Sequence, residues 1–200
     1  MLIRWLLMYV LLFVPTAWAG PTILVFGDSL SANYGVAVES GWVSLLQQRL
    51  TQHHYAYRVV NASISGETTA GGLARIDTAL TAHQPAIVIV ELGANDGLRG
   101  LPLQAMRDNL DGIIRACVAR RAKVLLVGMR LPPNYGAAYN ERFSMIYPTL
   151  ANKYHTALLP FLLDGMADKR EMFQADNLHP TAAAQPSVLE NVWKRLRPLL

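Results

Sequence analysis

From Thr22 onward the chain alternates between short, continuous apolar runs and longer stretches whose apolar residues recur at helical spacing. Ile23-Leu24-Val25-Phe26 runs into Gly27-Asp28-Ser29, and Ile87-Val88-Ile89-Val90 runs into Glu91-Leu92-Gly93. Apolar residues at consecutive rather than alternate positions predict strands covered on both faces. Tyr57 to Asn61 reads as a second strand, Lys123 to Val127 as a fourth and Ala157 to Phe161 as a weaker fifth. Between them, Val43, Leu46 and Leu50 share one face of a helix from Trp42 to Gln52. A helix from Thr69 to Ala82 stops before Pro85, because the residue ahead of a proline avoids helical geometry. Pro102 opens a helix to about Arg120, since proline is tolerated at a first helical position. Further helices cover Ala138 to Tyr154, disturbed at Pro148, and Ala182 to Leu199, whose start is left open by Pro186.

Such regular alternation predicts a three-layer α/β/α sandwich around a mostly parallel, five-stranded sheet, with no repeat or linker to divide it. In sheets of this kind ligands bind beyond the carboxyl ends of the strands. The polar segments that follow the strands are therefore expected to converge. They are Gly27-Asp28-Ser29-Leu30-Ser31, Asn61 to Gly66, and Gly93-Ala94-Asn95-Asp96-Gly97.

The first residues break the pattern. Arg4 is the only charged side chain before Asp28, and an apolar run of about ten residues follows it as far as Pro15. Ala17-Trp18-Ala19 then places small residues at the two positions a signal peptidase inspects. The expectation is a signal peptide over residues 1–19, cleaved before Gly20, with an uncleaved anchor as the alternative and residues 20–200 as one domain. It carries the expectation of a periplasmic or secreted protein with no stable membrane span after cleavage.

Composition adds little beyond exclusions. The chain is 52% hydrophobic and 16% charged, enough to build a core and unlike a disordered segment. Loss of Arg4 with the leader leaves 17 basic against 14 acidic side chains, a net charge of +3, spread along the chain. No basic stripe with interleaved aromatics points to nucleic acid. Cys117 stands alone in an apolar helical stretch, so no intramolecular disulfide forms. Gly-x-Ser-x-Gly, Gly-x-Gly-x-x-Gly, a Gly-Lys pair and His-x-x-x-His are all missing, which sets aside an α/β-hydrolase elbow, nucleotide loops and a zinc site.

A serine needs a base, a group that orients the base, and donors for the developing oxyanion before it can attack a carbonyl. Ser29 follows the first strand directly, although a serine there also serves as a helix cap. Gly66 could aim a backbone N–H into the cleft and Asn95 a side-chain amide, although both also suit turns. Of five histidines, His179 is the one with an acid three residues earlier, Asp176, and a proline after it. A short turn could fold that carboxylate onto Nδ1 and leave Nε2 free for a serine proton.

Taken together, Gly27-Asp28-Ser29-Leu30-Ser31, Asn61 to Gly66, Gly93-Ala94-Asn95-Asp96 and Asp176-Asn177-Leu178-His179-Pro180 resemble the motifs of the GDSL, or SGNH, hydrolase family in order and spacing. The likeness runs over the whole mature chain. Arg130 to Gly136 and Ala184-Gln185-Pro186 place it nearest the TesA-type branch of periplasmic thioesterase I, lysophospholipase L1 and arylesterases. The resemblance implies a flavodoxin-like fold, Ser29 as nucleophile, His179 as general base, Asp176 as its orienter, and an oxyanion hole of Ser29 N–H, Gly66 N–H and the Asn95 side chain. It implies no metal or organic cofactor, and a monomer acting on a small acyl ester or thioester.

Gly97, Leu98 and Arg99, in a segment whose glycines could let it move, and Leu131, Pro132 and Tyr135 are the candidates for contacting the acyl substrate, the alternative being that they only close the edge of the core. Met166, Met172 and Phe173 are further apolar residues ahead of Asp176. Two rivals remain: a carbohydrate O-acetylesterase using the same chemistry, and a non-catalytic lipid or glycan binder on the same fold.

Overall fold

The computed structural model describes residues 20–200; the expected signal peptide over residues 1–19 lies outside the described residues. Five strands form one parallel sheet: β1 (Thr22–Gly27), β2 (Arg58–Asn61), β3 (Ile87–Glu91), β4 (Lys123–Val127) and β5 (Ala157–Leu159), in the order β2-β1-β3-β4-β5. Every residue of β1 and β3 is buried, as their unbroken apolar runs require, whereas edge strand β2 is half-exposed. Register pairs Gly27 at the end of β1 with Glu91 at the end of β3.

Six helices connect and cover the sheet: α1 (Trp42–Gln52), α2 (Thr69–His83), α3 (Ala94–Leu98), α4 (Leu103–Ala119), α5 (Ala137–Tyr154) and α6 (Gln185–Leu196). Helices α1 and α6 pack together, as do α2 with α4 and α4 with α5. Right-handed crossovers put the first pair on one face of the sheet and the other three on the opposite face. The helices bury the stripes their spacing requires: Met106, Leu110, Ile113, Ile114 and Cys117 from α4, and Val188, Leu189, Val192 and Leu196 from α6. Each fully buried side chain of this size contributes roughly 1.5–3 kcal/mol.

Three local expectations change. Pro102 caps α4 in an extended conformation rather than opening its first turn. Helix α5 runs through Pro148, held by buried Phe143, Ile146, Tyr147 and Leu150 on both sides of it. The last helix divides into a 3-10 turn at Ala182–Ala184, α6, and a second 3-10 turn at Arg197–Leu199.

The strand order reverses direction between β1 and β3, the point at which such sheets open a crevice at their carboxyl edge. Ser29 and Asn95 follow those two strands.

Candidate active site

The turn after β1 is held from below by two buried carboxyl groups. Glu91, fully buried, approaches so closely that a Cβ on residue 27 would lie 2.7 Å from its Oε2, so only glycine fits there. The same Oε2 accepts from Ser31 Oγ at 2.7 Å and from Asp28 N–H at 3.3 Å, while Oε1 has no partner among the described residues. Asp28 accepts from Leu30 N–H at 3.0 Å through Oδ1 and from Asn95 Nδ2 at 3.0 Å through Oδ2. Burial pushes the Asp28 carboxyl up to about 6, against the pull of its hydrogen bonds to Leu30 and Asn95. Burial, followed by repulsion from Asp28, drives Glu91 well above the usual carboxylate range. Two adjacent buried carboxylates do not both ionise readily.

Trp42 ties this turn to the helices. Its indole N–H donates to Leu30 O at 3.1 Å, and its backbone N–H to buried Gln185 Oε1 at 3.0 Å.

His179 arrives on a narrow hairpin. Phe173 and Pro180 bridge its base, Gln174 N–H donates to His179 O at 2.8 Å, and Asn177 at φ +60° turns its tip. The Gln174 amide donates to Tyr34 O at 2.8 Å and to Pro180 O at 3.1 Å, fastening the hairpin beside the β1 turn. Asp176 Oδ1 accepts from Leu178 and His179 N–H at 2.9 and 3.0 Å, and Oδ2 stands 2.7 Å from His179 Nδ1. Desolvation raises the Asp176 pKa, but these donors outweigh it and hold the carboxyl down at about 2. The far side of the ring faces Ser29, with Nε2 at 2.8 Å from Oγ. Tyr34 lies over the imidazole with ring centroids 4.3 Å apart.

The loop after β2 is pinned at both ends. Ala62 N–H donates to Val25 O and Ile64 N–H to Gly27 O, while Asn61 Nδ2 donates to Ser31 O at 2.8 Å. Arg75 of α2 donates to Ala62 O at 2.7 Å, pairs with Glu67, and lies 3.8 Å from the centre of the Phe26 ring. Gly66, between those anchors, has φ +78°, a conformation that favours glycine. Its N–H and that of Ser29 find no protein acceptor among the described residues. Asn95 sits in the first turn of α3, which Asp96 fastens to α2 by accepting from Thr69 N–H at 2.8 Å and Thr69 Oγ1 at 2.6 Å.

The other sequence candidates divide. Arg99 Nη2 donates to Gly66 O at 2.8 Å and Tyr135 OH to Leu98 O at 2.9 Å, so these residues link the loops after β2, β3 and β4. Pro132 is half-buried, its carbonyl accepting from Asn140. Gly97 and Leu131 are different: both are buried, and a Cβ on Gly97 would lie 2.7 Å from Leu131 Cδ2 and Phe143 Cε2. Gly97 is thus a spacer inside a packed helical turn, not a hinge exposed to substrate. Met166 is likewise buried in the core. Leu131 borders a surface cavity of about 350 Å³ with Arg130, Pro133 and Ala137, which includes neither Ser29 nor His179. Asp28, Glu91, Arg75 and Gln174 were not singled out from the sequence; a carboxylate ending an otherwise apolar strand was the available signal for Glu91.

A hydroxyl, an imidazole and a carboxylate in line at the carboxyl edge of a parallel sheet, beside unpaired N–H groups, form the arrangement of a serine hydrolase. The chain belongs to the GDSL-like lipase/acylhydrolase family, whose model matches residues 25–185. It is 53% identical over 182 residues to the esterase TesA of Pseudomonas aeruginosa, covering 91% of this chain and 90% of that protein. It is 43% identical over 199 residues to the thioesterase 1/protease 1/lysophospholipase L1 of Escherichia coli, covering 98% and 94%. A solved structure of TesA aligns with a TM-score of 0.88 at 53% identity, over 90% of this chain and 99% of that one.

Proposed function

We propose that this enzyme hydrolyses acyl esters and thioesters through a covalent acyl-serine intermediate. Ser29 Oγ attacks the acyl carbonyl as its proton passes to His179 Nε2. The N–H groups of Ser29 and Gly66 and the Asn95 amide receive the oxyanion, each worth roughly 3 kcal/mol of barrier. Asp176 remains ionised and stabilises the imidazolium. His179 returns its proton to the departing alcohol or thiol, then activates the water that releases the acid and restores Ser29.

The observation that carries this reading is the 2.8 Å approach of His179 Nε2 to Ser29 Oγ, with Asp176 at 2.7 Å behind the ring. Exposed Tyr34, Ile64 and Leu178 lie on the segments that bear or adjoin Ser29, Gly66 and His179, supporting an apolar acyl substrate over an acetylated sugar. The name of the Escherichia coli relative records both thioesterase and lysophospholipase activity. Ser29→Ala is expected to lower kcat on aryl and thioesters by about four to six orders of magnitude while the chain stays folded. Near-normal turnover in that variant overturns the reading.

Residues 1–19 are proposed as an export signal removed before Gly20, so that the enzyme works in the periplasm or outside the cell. Amino-terminal sequencing of the exported protein tests this; a chain still beginning at Met1 contradicts it.

A further inference from the structure

Arg99 occupies an unusual place for an exposed cation. It follows α3 directly, and its N–H donates to Asn95 O at 3.2 Å, so Arg99 stands one helical turn beyond Asn95 on the same side. Its guanidinium then crosses to the loop after β2 and donates through Nη2 to Gly66 O at 2.8 Å. One side chain therefore bridges the two segments that present Gly66 and Asn95. Among the described residues no carboxylate lies within 4 Å of the Arg99 guanidinium. A guanidinium carries five N–H donors, and the Gly66 carbonyl takes one of them.

The turn that carries Arg99 is closely packed. Gly97 is wedged against Leu131 and Phe143, Tyr135 OH holds Leu98 O, and Asp96 anchors the turn to Thr69. A preorganised guanidinium fork with free donors matches the paired oxygens of a phosphate or carboxylate.

We infer that Arg99 is a specificity-determining residue that binds an anionic oxygen group, phosphate or carboxylate, carried by the substrate within a few bonds of the scissile acyl ester. This rests on the proposed function: an ester whose carbonyl oxygen lies between Gly66 and Asn95 brings its neighbouring substituents beneath the guanidinium. Uncharged esters use the same oxyanion donors and gain nothing from Arg99's free N–H groups. The attraction is exposed to solvent and therefore weakens with ionic strength.

Three short-chain, non-aggregating substrates test it: hexanoyl esters of glycerol, of glycerol 3-phosphate and of glyceric acid. For the wild type, kcat/KM is expected to be about tenfold higher for at least one anionic ester than for the neutral one, a difference of about 1.4 kcal/mol. Arg99→Gln should abolish that ratio, Arg99→Lys should retain part of it, and added salt should shrink it in the wild type alone. A ratio unchanged by Arg99→Gln, an equal loss on all three esters, or a wild type that prefers the neutral ester each overturns the inference and leaves the esterase reading standing. A wild type inactive on the neutral ester overturns the esterase reading, and the inference with it.

Discussion

Asp28 Oδ2 accepts from the Asn95 side-chain amide at 3.0 Å, so the residue before Ser29 sets the direction of an amide on another strand end. One Asn95 N–H is spent on the carboxylate, which leaves the other available to a substrate oxygen. Asp28→Asn would leave one acceptor oxygen where two are used, so its new NH₂ faces either the Asn95 amide or the Leu30 N–H, and Asn95 loses its charged partner. The expected result is a fall in kcat of about 10²–10³-fold, the cost of one oxyanion donor, with KM little changed. Steady-state kinetics on a soluble aryl ester check this split; a rise in KM alone contradicts it.

The same contact predicts a titration. The Asp28 carboxyl, pushed up to about 6 by burial, is ionised above that pH and protonated below it. Protonation removes the charge that the Asn95 amide faces. The Asn95 side-chain amide signals in a ¹⁵N–¹H NMR titration should therefore move with a midpoint near pH 6 and stop moving in Asp28→Asn.

Glu91 contributes to stability with the opposite sign from Asp176. Because burial raises its pKa above the unfolded value, the native chain keeps a proton that the unfolded chain releases. Stability from this group is complete below about pH 4.5, the ordinary glutamate value, and declines as pH climbs toward its raised folded pKa. Glu91→Gln, which stays neutral, should flatten the fall in Tm as pH rises above about 4.5. Asp176 is depressed to about 2, so its contribution is present above about pH 4 and is lost on acidification toward 2. Thermal melts of Glu91→Gln and Asp176→Asn across pH separate the two slopes.

Gly97→Ala should destabilise by about 1–3 kcal/mol, because its new methyl meets Leu131 and Phe143 at 2.7 Å. For a chain of this size that corresponds to a drop in Tm of about 2–4 °C per kcal/mol. A Gly97→Ala protein with unaltered Tm would show that the turn yields, as a mobile substrate loop does.

Sequence patterning carried the strands because β1 and β3 hold the unbroken apolar runs Ile23–Phe26 and Ile87–Val90, a pattern that a sheet covered on both faces demands. It also drew attention to Ser29, Asp176 and His179, in a segment directly beyond such a strand and at a tight Asp-x-x-His turn, and the structure brings the three side chains together. Helix α3 escaped notice: Ala94 to Leu98 is rich in turn-forming residues, and what makes it helical is Asp96 gripping Thr69 from a distant element. The same nonlocality hid Glu91, whose partners Asp28 and Ser31 lie about sixty positions earlier, and Arg75, whose partner Ala62 becomes a neighbour only once the β2 loop folds back. Gly97 misled for a related reason, since a glycine needed for close packing looks, in sequence, like one needed for motion.

Asp176→Asn should leave the fold intact and lower kcat by about 10⁴-fold, because the amide would no longer hold the His179 tautomer in which Nε2 faces Ser29. Single-turnover measurement of acylation should reveal the loss in that step; unimpaired acylation would assign orientation of the ring to Tyr34 and the hairpin instead.

Ser29 is expected to become covalently acylated because His179 takes its proton. Labelling the purified chain with a fluorophosphonate and mapping the adduct by peptide mass spectrometry reads out both roles. The expected result is a single adduct on Ser29, absent in Ser29→Ala and formed far more slowly in His179→Ala. An unlabelled wild type, an adduct on another residue, or equal labelling in His179→Ala contradicts the account.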